Sequence, residues 1–453
     1  MTERGYLGTI LHTPDRGRLE YLPDALIVAG ADGAITAVHP GGSGRAAQEA
    51  ARLAAQGALV RLTPGQFLVP GFIDLHVHAP QWPQLGKALD LPLEDWLQHY
   101  TFPLEARYAD TVFARREYES LVDGLLANGT TTALYFGTIH LAATQILADI
   151  CLRRSQRALV GRVAMDDPVQ CPEFYRDPSA QVAEQETRQF IDYVRALPGN
   201  EAPLVHPVIT PRFIPSCSDE LLRRLGALAR ETGCHVQTHC SESDWEHGYV
   251  LERYGRSDTA ALDGFGLLHR RTVLAHGNFI GVDDADTIKA RGAGIAHCPL
   301  SNVYFSDAVF PLRRKLEQGL NVGLGTDIAG GASPSILENA RQAVTASRML
   351  ECGVDPRQTR AQRRRPDSRI DAVTAFWLAT AGGGIALDLP IGQFRPGYQF
   401  DAVVLDATAA AGNLRIGADD PPANVLQKIV YGAGRANVSR VWVANRQVVG
   451  PER

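Results

Sequence analysis

Between residues 72 and 327 short apolar runs alternate with amphipathic stretches. Eight of the runs read as strands: Phe72–His78, Thr131–Phe136, Leu159–Met165, Val205–Thr210, His235–His239, Val273–His276, Gly294–His297 and Asn321–Asp327. The stretch from Ser218 to Thr232 carries Leu221, Leu222, Leu225, Leu228 and Ala229 at helical spacing, with a Ser at its start and Gly233 as its stop. Eightfold strand–helix alternation predicts an α/β fold, a (β/α)8 TIM-type barrel. The two ends differ in pattern. Tyr6–His12, Ala25–Val28 and Ile35–Val38 at one end read as short strands. So do Ala402–Leu405, Lys428–Tyr431 and Ser439–Val443 at the other. The pattern therefore predicts a small β-sandwich domain built from both termini, residues 1–66 plus 392–453, around a catalytic barrel of residues 67–391.

Composition adds exclusions. The chain has 453 residues, 45% of them hydrophobic and 21% charged, which suits a large buried core. A formal charge of −5 gives no reason to expect nucleic acid as a partner. No apolar run approaches the ~18 residues a membrane helix needs, so no membrane partner is expected. Seven cysteines with no C-x-x-C pair point to a reducing, cytoplasmic setting. The basic stretch Arg357–Arg369 reads as a solvated face.

The chemistry gathers at the strand ends, where barrels of this kind place reacting groups. The first strand ends in His76-Val77-His78, and residues i and i+2 of a strand share a face. Later strands end at His239, His276, His297 and Asp327, with His297 the weakest claimant. A single buried His is commonly a hydrogen-bonded core residue. Coincidence over four or more strand ends is another matter. Imidazoles plus one carboxylate suit Zn2+, with Fe2+ as the alternative. The fourth strand ends in Thr210-Pro211-Arg212, with no lysine to bridge two metals, which favours a single ion. Glu242, three residues past His239, is placed to carry protons beside an activated water. His276 fits either as a ligand or as a hydrogen-bond partner of that water.

These motifs resemble the amidohydrolase superfamily. Pro70–His78 is similar to its opening signature, and Gln237-Thr238-His239, Ala275-His276-Gly277 and Gly325-Thr326-Asp327 follow in the family's order. Within the superfamily the chain resembles the guanine deaminases. The resemblance lies in His78-Ala79-Pro80-Gln81, Leu91-Pro92-Leu93, Trp96-Leu97, Tyr100–Pro103, Thr210–Phe213, His297-Cys298-Pro299, Ser301-Asn302 and Asp327–Gly331. It implies one Zn2+ per subunit on His76, His78, His239 and Asp327, with Glu242, His276 and Asp327 as the catalytic set. It also implies a small-molecule purine base as partner, held by Gln81, Arg212 and Phe213, and a homodimer. Trp82 departs from the pattern, which has a smaller aromatic there.

That implied chemistry suits these side chains. Arg212 is donor-only and fits the O6 acceptor of guanine, whereas adenine would face it with another donor. Gln81 offers a donor and an acceptor to the ring edge, and Phe213 a surface to stack on. Trp96 and Phe102 are expected in a lid over the pocket. The same metal set would also serve an s-triazine, an adenosine-like substrate or an 8-oxopurine, and Arg212 with Gln81 favours the oxopurine.

Overall fold

The computed structural model describes residues 2–451. The chain opens with β1 (Arg4–His12), β2 (Glu20–Ala29) and β3 (Ile35–His39), then β4 (Leu59–Arg61) and β5 (Gln66–Pro70). The barrel strands are β6 (Phe72–His78), β7 (Thr130–Phe136), β8 (Arg157–Ala164), β9 (Val205–Pro211), β10 (His235–Cys240), β11 (Thr272–His276), β12 (Gly294–His297) and β13 (Asn321–Leu324). The chain closes with β14 (Ala402–Asp406), β15 (Val438–Val443) and β16 (Arg446–Val449).

β6 to β13 form one parallel sheet in sequence order. The seam between its two outer strands is joined just past β13, where Asp327 N–H donates to His76 O (2.8 Å) and His78 N–H to Ile328 O (2.9 Å). A barrel therefore closes at the residues that carry the chemistry. Gly325 makes the approach feasible, since a Cβ there would stand 2.8 Å from the His76 Cβ. β13 ends at Leu324, three residues before the expected end, and Asp327 lies in the turn beyond it with φ +51°.

The remaining strands form a mixed sheet in the order β16-β15-β14-β5-β1-β2-β3, with β4 on β1, so both termini build it. Only Gly71 separates β5 of this sheet from β6 of the barrel. The expected strand at Lys428–Tyr431 is instead part of a helix, Pro422–Gly432. Its buried residues Val425, Leu426, Ile429 and Val430 repeat every four residues, and the β-branched pair Ile429-Val430 imitates a strand locally. The helix at Ser218 is as expected: Ser218 caps Asp219–Thr232 through a bond from Leu221 N–H, and Gly233 ends it at φ +65°. Among the described residues no helix is long and apolar enough to cross a membrane.

Candidate metal centre and ligand cavity

The histidines converge. His76, His78 and His239 bring ligand atoms within 4.8 Å of one another. So do His76, His276 and Asp327, and so do His239, Glu242 and His276. His76 Nε2 lies 3.1 Å from Asp327 Oδ1, and His78 Nε2 lies 3.4 Å from the same oxygen. Nε2 of His78 and Nε2 of His239 are 3.0 Å apart. Two of these residues sit in the left-handed region, His276 (φ +70°) at the end of β11 and Asp327 (φ +51°) in the turn beyond β13.

The donor set fits a divalent cation. His239 Nδ1–H donates to Arg212 O at 2.6 Å, which leaves Nε2 with its lone pair turned into the cluster. Among the described residues, Nε2 of His76, Nδ1 of His78 and Nε2 of His276 are buried and make no well-aligned hydrogen bond. Burial holds His76 below the usual imidazole pKa, and holds His78 and His239 well below it. Neutral imidazoles are the ligating form. Asp327 is buried too, but the neighbouring His76 and His276 overcome that burial and hold its carboxyl far below the ordinary range. Imidazole nitrogens and a carboxylate oxygen are donors that zinc accepts. His297 is buried against Phe310 and belongs to none of the three groups.

Glu242 lies beside the cluster, its Oε1 3.4 Å from His276 Nε2. It is not the helix cap, because Ser243 accepts the capping bond from Glu246 N–H. Burial pushes its carboxyl up to about 7, with His276 and Arg212 pulling it down and Asp327 pushing it up. His276 Nδ1–H donates to Asn302 Oδ1 at 3.0 Å, and Asn302 donates to Asn278, which donates in turn to the carbonyl of Glu242. Beneath the site, Asp74 accepts from Thr326 Oγ1 (2.5 Å), Thr326 N (2.9 Å) and His76 N (3.2 Å), tying the two sides of the seam.

A small cavity adjoins the cluster. It is lined by His78, His239, Glu242 and Asp327 of the cluster and by Gln81, Arg212, Phe213, Leu93, Trp96, Leu97 and Phe305. Trp96 is buried, packs on Phe305 at 5.0 Å and donates to Lys87 O. Phe213 packs against Trp245 at 5.8 Å. Phe102 stands behind the cavity wall, with the Arg212 guanidinium 5.0 Å over its ring. Trp82 points away, donating to Ser120 Oγ and lying against Gly124.

Glu105 was not legible as a functional residue. It is fully buried, and it accepts from Arg212 Nη1 (2.7 Å), Arg212 Nη2 (3.2 Å) and Gln81 Nε2 (2.9 Å). Its only signal in the sequence is position, two residues past Pro103 in a segment already placed at the lid.

A closed barrel with four histidines, an aspartate and a buried glutamate gathered at its mouth is the frame of a metal-dependent hydrolase. Residues 67–448 match the amidohydrolase family, and the chain belongs to that family. Within it the chain stands with the guanine deaminases. It is 36% identical to a probable guanine deaminase of Schizosaccharomyces pombe, over 99% of this chain and 84% of the relative. It is 34% identical to guanine deaminase of Dictyostelium discoideum, over 98% and 97%. A crystal structure of guanine deaminase from C. acetobutylicum with guanine bound in the active site superposes with a TM-score of 0.87, at 28% identity, covering 99% of this chain and 100% of that one.

Proposed function

We propose that the protein hydrolyses guanine to xanthine and ammonia with one Zn2+ per subunit. The observation that carries this reading is the pairing of Arg212 and Gln81, locked to Glu105, in one cavity with the histidine cluster and Glu242. The solved relative that holds guanine supports the same substrate.

His76, His78, His239 and Asp327 would hold the ion. Zn2+ held there would lower the pKa of water to about 7 and so supply hydroxide at neutral pH. Glu242 takes the proton released from the attacking water. It hands that proton to the unprotonated ring nitrogen beside C2, and a second proton to the departing amino group. The second proton comes from the hydroxyl on C2 as that oxygen becomes the carbonyl and the C–N bond breaks, so water supplies the C2 oxygen, the new ring N–H and one proton of ammonia, and no other reagent is needed. His276, fixed by Asn302, directs Nε2 at the space shared with Glu242 and holds the attacking water. Arg212 and Gln81 bind the edge of the purine that carries O6, and Phe213 packs against the ring.

Ammonia release from guanine, from other aminopurines and from aminotriazines tests the reading, with metal content measured on the same preparation. Guanine should give the highest kcat/KM, and removal of the metal with a chelator should abolish turnover until Zn2+ is restored. An aminotriazine turned over faster than guanine would overturn it.

A further inference from the structure

Glu105 does not line the cavity, yet two cavity residues converge on its carboxylate. A carboxylate accepts and never donates when ionised. It therefore dictates which atoms of its partners turn inward. Arg212 spends one N–H of Nη1 and one of Nη2 on Glu105. That fork leaves the parallel pair of Nε–H and the outer Nη2–H for another acceptor. Gln81 gives one N–H to Glu105, and its Oε1 accepts from Ala329 N–H at 3.1 Å. The amide can satisfy both neighbours in one orientation only. Reversed, it would set oxygen against carboxylate and N–H against N–H.

We propose that Glu105 is a positioning residue that sets the substrate selectivity of the site, by fixing the guanidinium of Arg212 and the amide of Gln81 so that they read an oxo group. The inference rests on the guanine reading above. With Glu105 in place, the cavity presents paired donors to a carbonyl oxygen and its neighbouring ring nitrogen. An amino group at the same ring position meets donors and leaves them unpaired, which is costly in a buried site. Glu105→Gln keeps the volume but offers one donor and one acceptor. Arg212 then loses half of its fork, and the Gln81 amide no longer has a single favoured orientation.

The test compares guanine with 2,6-diaminopurine, which carries an amino group in place of O6, in the wild type and in Glu105→Gln. Metal content and thermal unfolding are followed in parallel. The variant should keep its metal and lose guanine kcat/KM by roughly 100-fold, the scale of a misplaced substrate. Its preference for guanine over 2,6-diaminopurine should narrow at least ~10-fold, as the mismatch penalty relaxes. Equal losses on both substrates, with the preference unchanged, would make Glu105 a purely structural residue and overturn the proposal. A double-mutant cycle with Arg212→Met adds a second arm. The combined loss on guanine should fall well short of the product of the single losses, and independent losses overturn the assignment. If Glu105→Gln alone does not fold, Arg212→Met is compared with Arg212→Met/Glu105→Gln. Similar guanine kcat/KM in the two supports the assignment, and a large further loss overturns it. A wild-type enzyme inert towards guanine sinks the functional reading itself, an outcome distinct from an unchanged preference in the variant.

Discussion

Glu242 sits where a carboxylate is costly to keep charged and where a proton carrier is most useful. Its carboxyl, pushed up to about 7 by burial, is matched to proton transfer near neutral pH. Glu242→Gln should keep the metal, since the three His and Asp327 remain, and lower kcat by ~10²–10⁴, the usual contribution of a positioned general acid–base. Single-turnover ammonia release together with elemental analysis checks this, and activity within threefold of wild type removes the role. The pH dependence has a definite sign. In the proposed mechanism the ionised carboxylate accepts the first proton, so kcat/KM should fall as pH drops through the Glu242 value. A cation beside it favours the carboxylate and moves that limb below pH 7. The limb should vanish from the residual activity of Glu242→Gln. At this scale the sequence displayed the residues that the structure gathers at the barrel mouth: His76, His78, His239, His276, Asp327 and Glu242. It hid Glu105, because Leu104-Glu105-Ala106-Arg107 looks like any surface helix, and the partner that buries it is Arg212, 107 residues away in the chain. Asn302 and Asp74 lie inside the motifs, but their roles were not legible, since their work is to hold other residues.

Elements place these groups through contacts at their ends. The turn after β10 carries Ser241 and Glu242, and Ser241 adopts φ +51°. Asp258, in the first turn of the helix Asp258–Gly264, accepts from Ser241 N–H at 3.1 Å and pairs with His247 Nδ1 at 2.7 Å. His247 belongs to the helix Asp244–Tyr254, so one carboxylate joins two helices to the turn that bears Glu242. The hydrogen bond to Asp258 raises the His247 pKa above its ordinary 6.5, against the opposing effect of burial. A folded-state pKa above the unfolded one gives stability that is complete below about pH 6.5 and is lost as pH rises through the folded value. Thermal unfolding from pH 6 to 9 should therefore show a wild-type Tm that declines more steeply than that of His247→Gln. Parallel curves would show that the pair contributes nothing through its charge. Strand positions were legible because most of the β6–β13 strands are apolar runs bounded by breaks, and their limits fell within three residues of those expected. The helix Gly44–Ala55 was missed. It buries only Ala46, Ala50 and Leu53, too small an apolar stripe to stand out.

In the whole molecule the histidines of β6 depend on a strand anchored at its other end. β6 leaves the terminal sheet after a single residue, Gly71, whose N–H donates to Asp401 O at 2.9 Å. Gly71 has no room for a side chain, since a Cβ there would lie 2.1 Å from Thr131 Oγ1 on β7. The same Asp401 receives Arg157 of β8 as a fork, Nε at 2.9 Å and Nη2 at 3.2 Å, and also accepts from Ala444 N–H at 2.7 Å. Arg157 and Asp401 are both buried. One ion pair thus ties the barrel wall to the C-terminal segment, beside the junction of β5 and β6. Asp401→Ala leaves a guanidinium buried without its counter-charge, a change that costs about 3–5 kcal/mol. Replacing both partners, as in Arg157→Met with Asp401→Leu, removes the charges together and should recover most of that loss. The damage belongs to the end of the barrel opposite the histidine cluster. Below the unfolding transition, metal content and guanine kcat/KM should therefore stay near wild type in both variants, while urea unfolding separates them. An Asp401→Ala protein as resistant to urea as the wild type would show that the terminal sheet is held to the barrel by apolar contact alone. A variant that loses its metal before it unfolds would show that β6 transmits strain along its length, from Gly71 to His76 and His78.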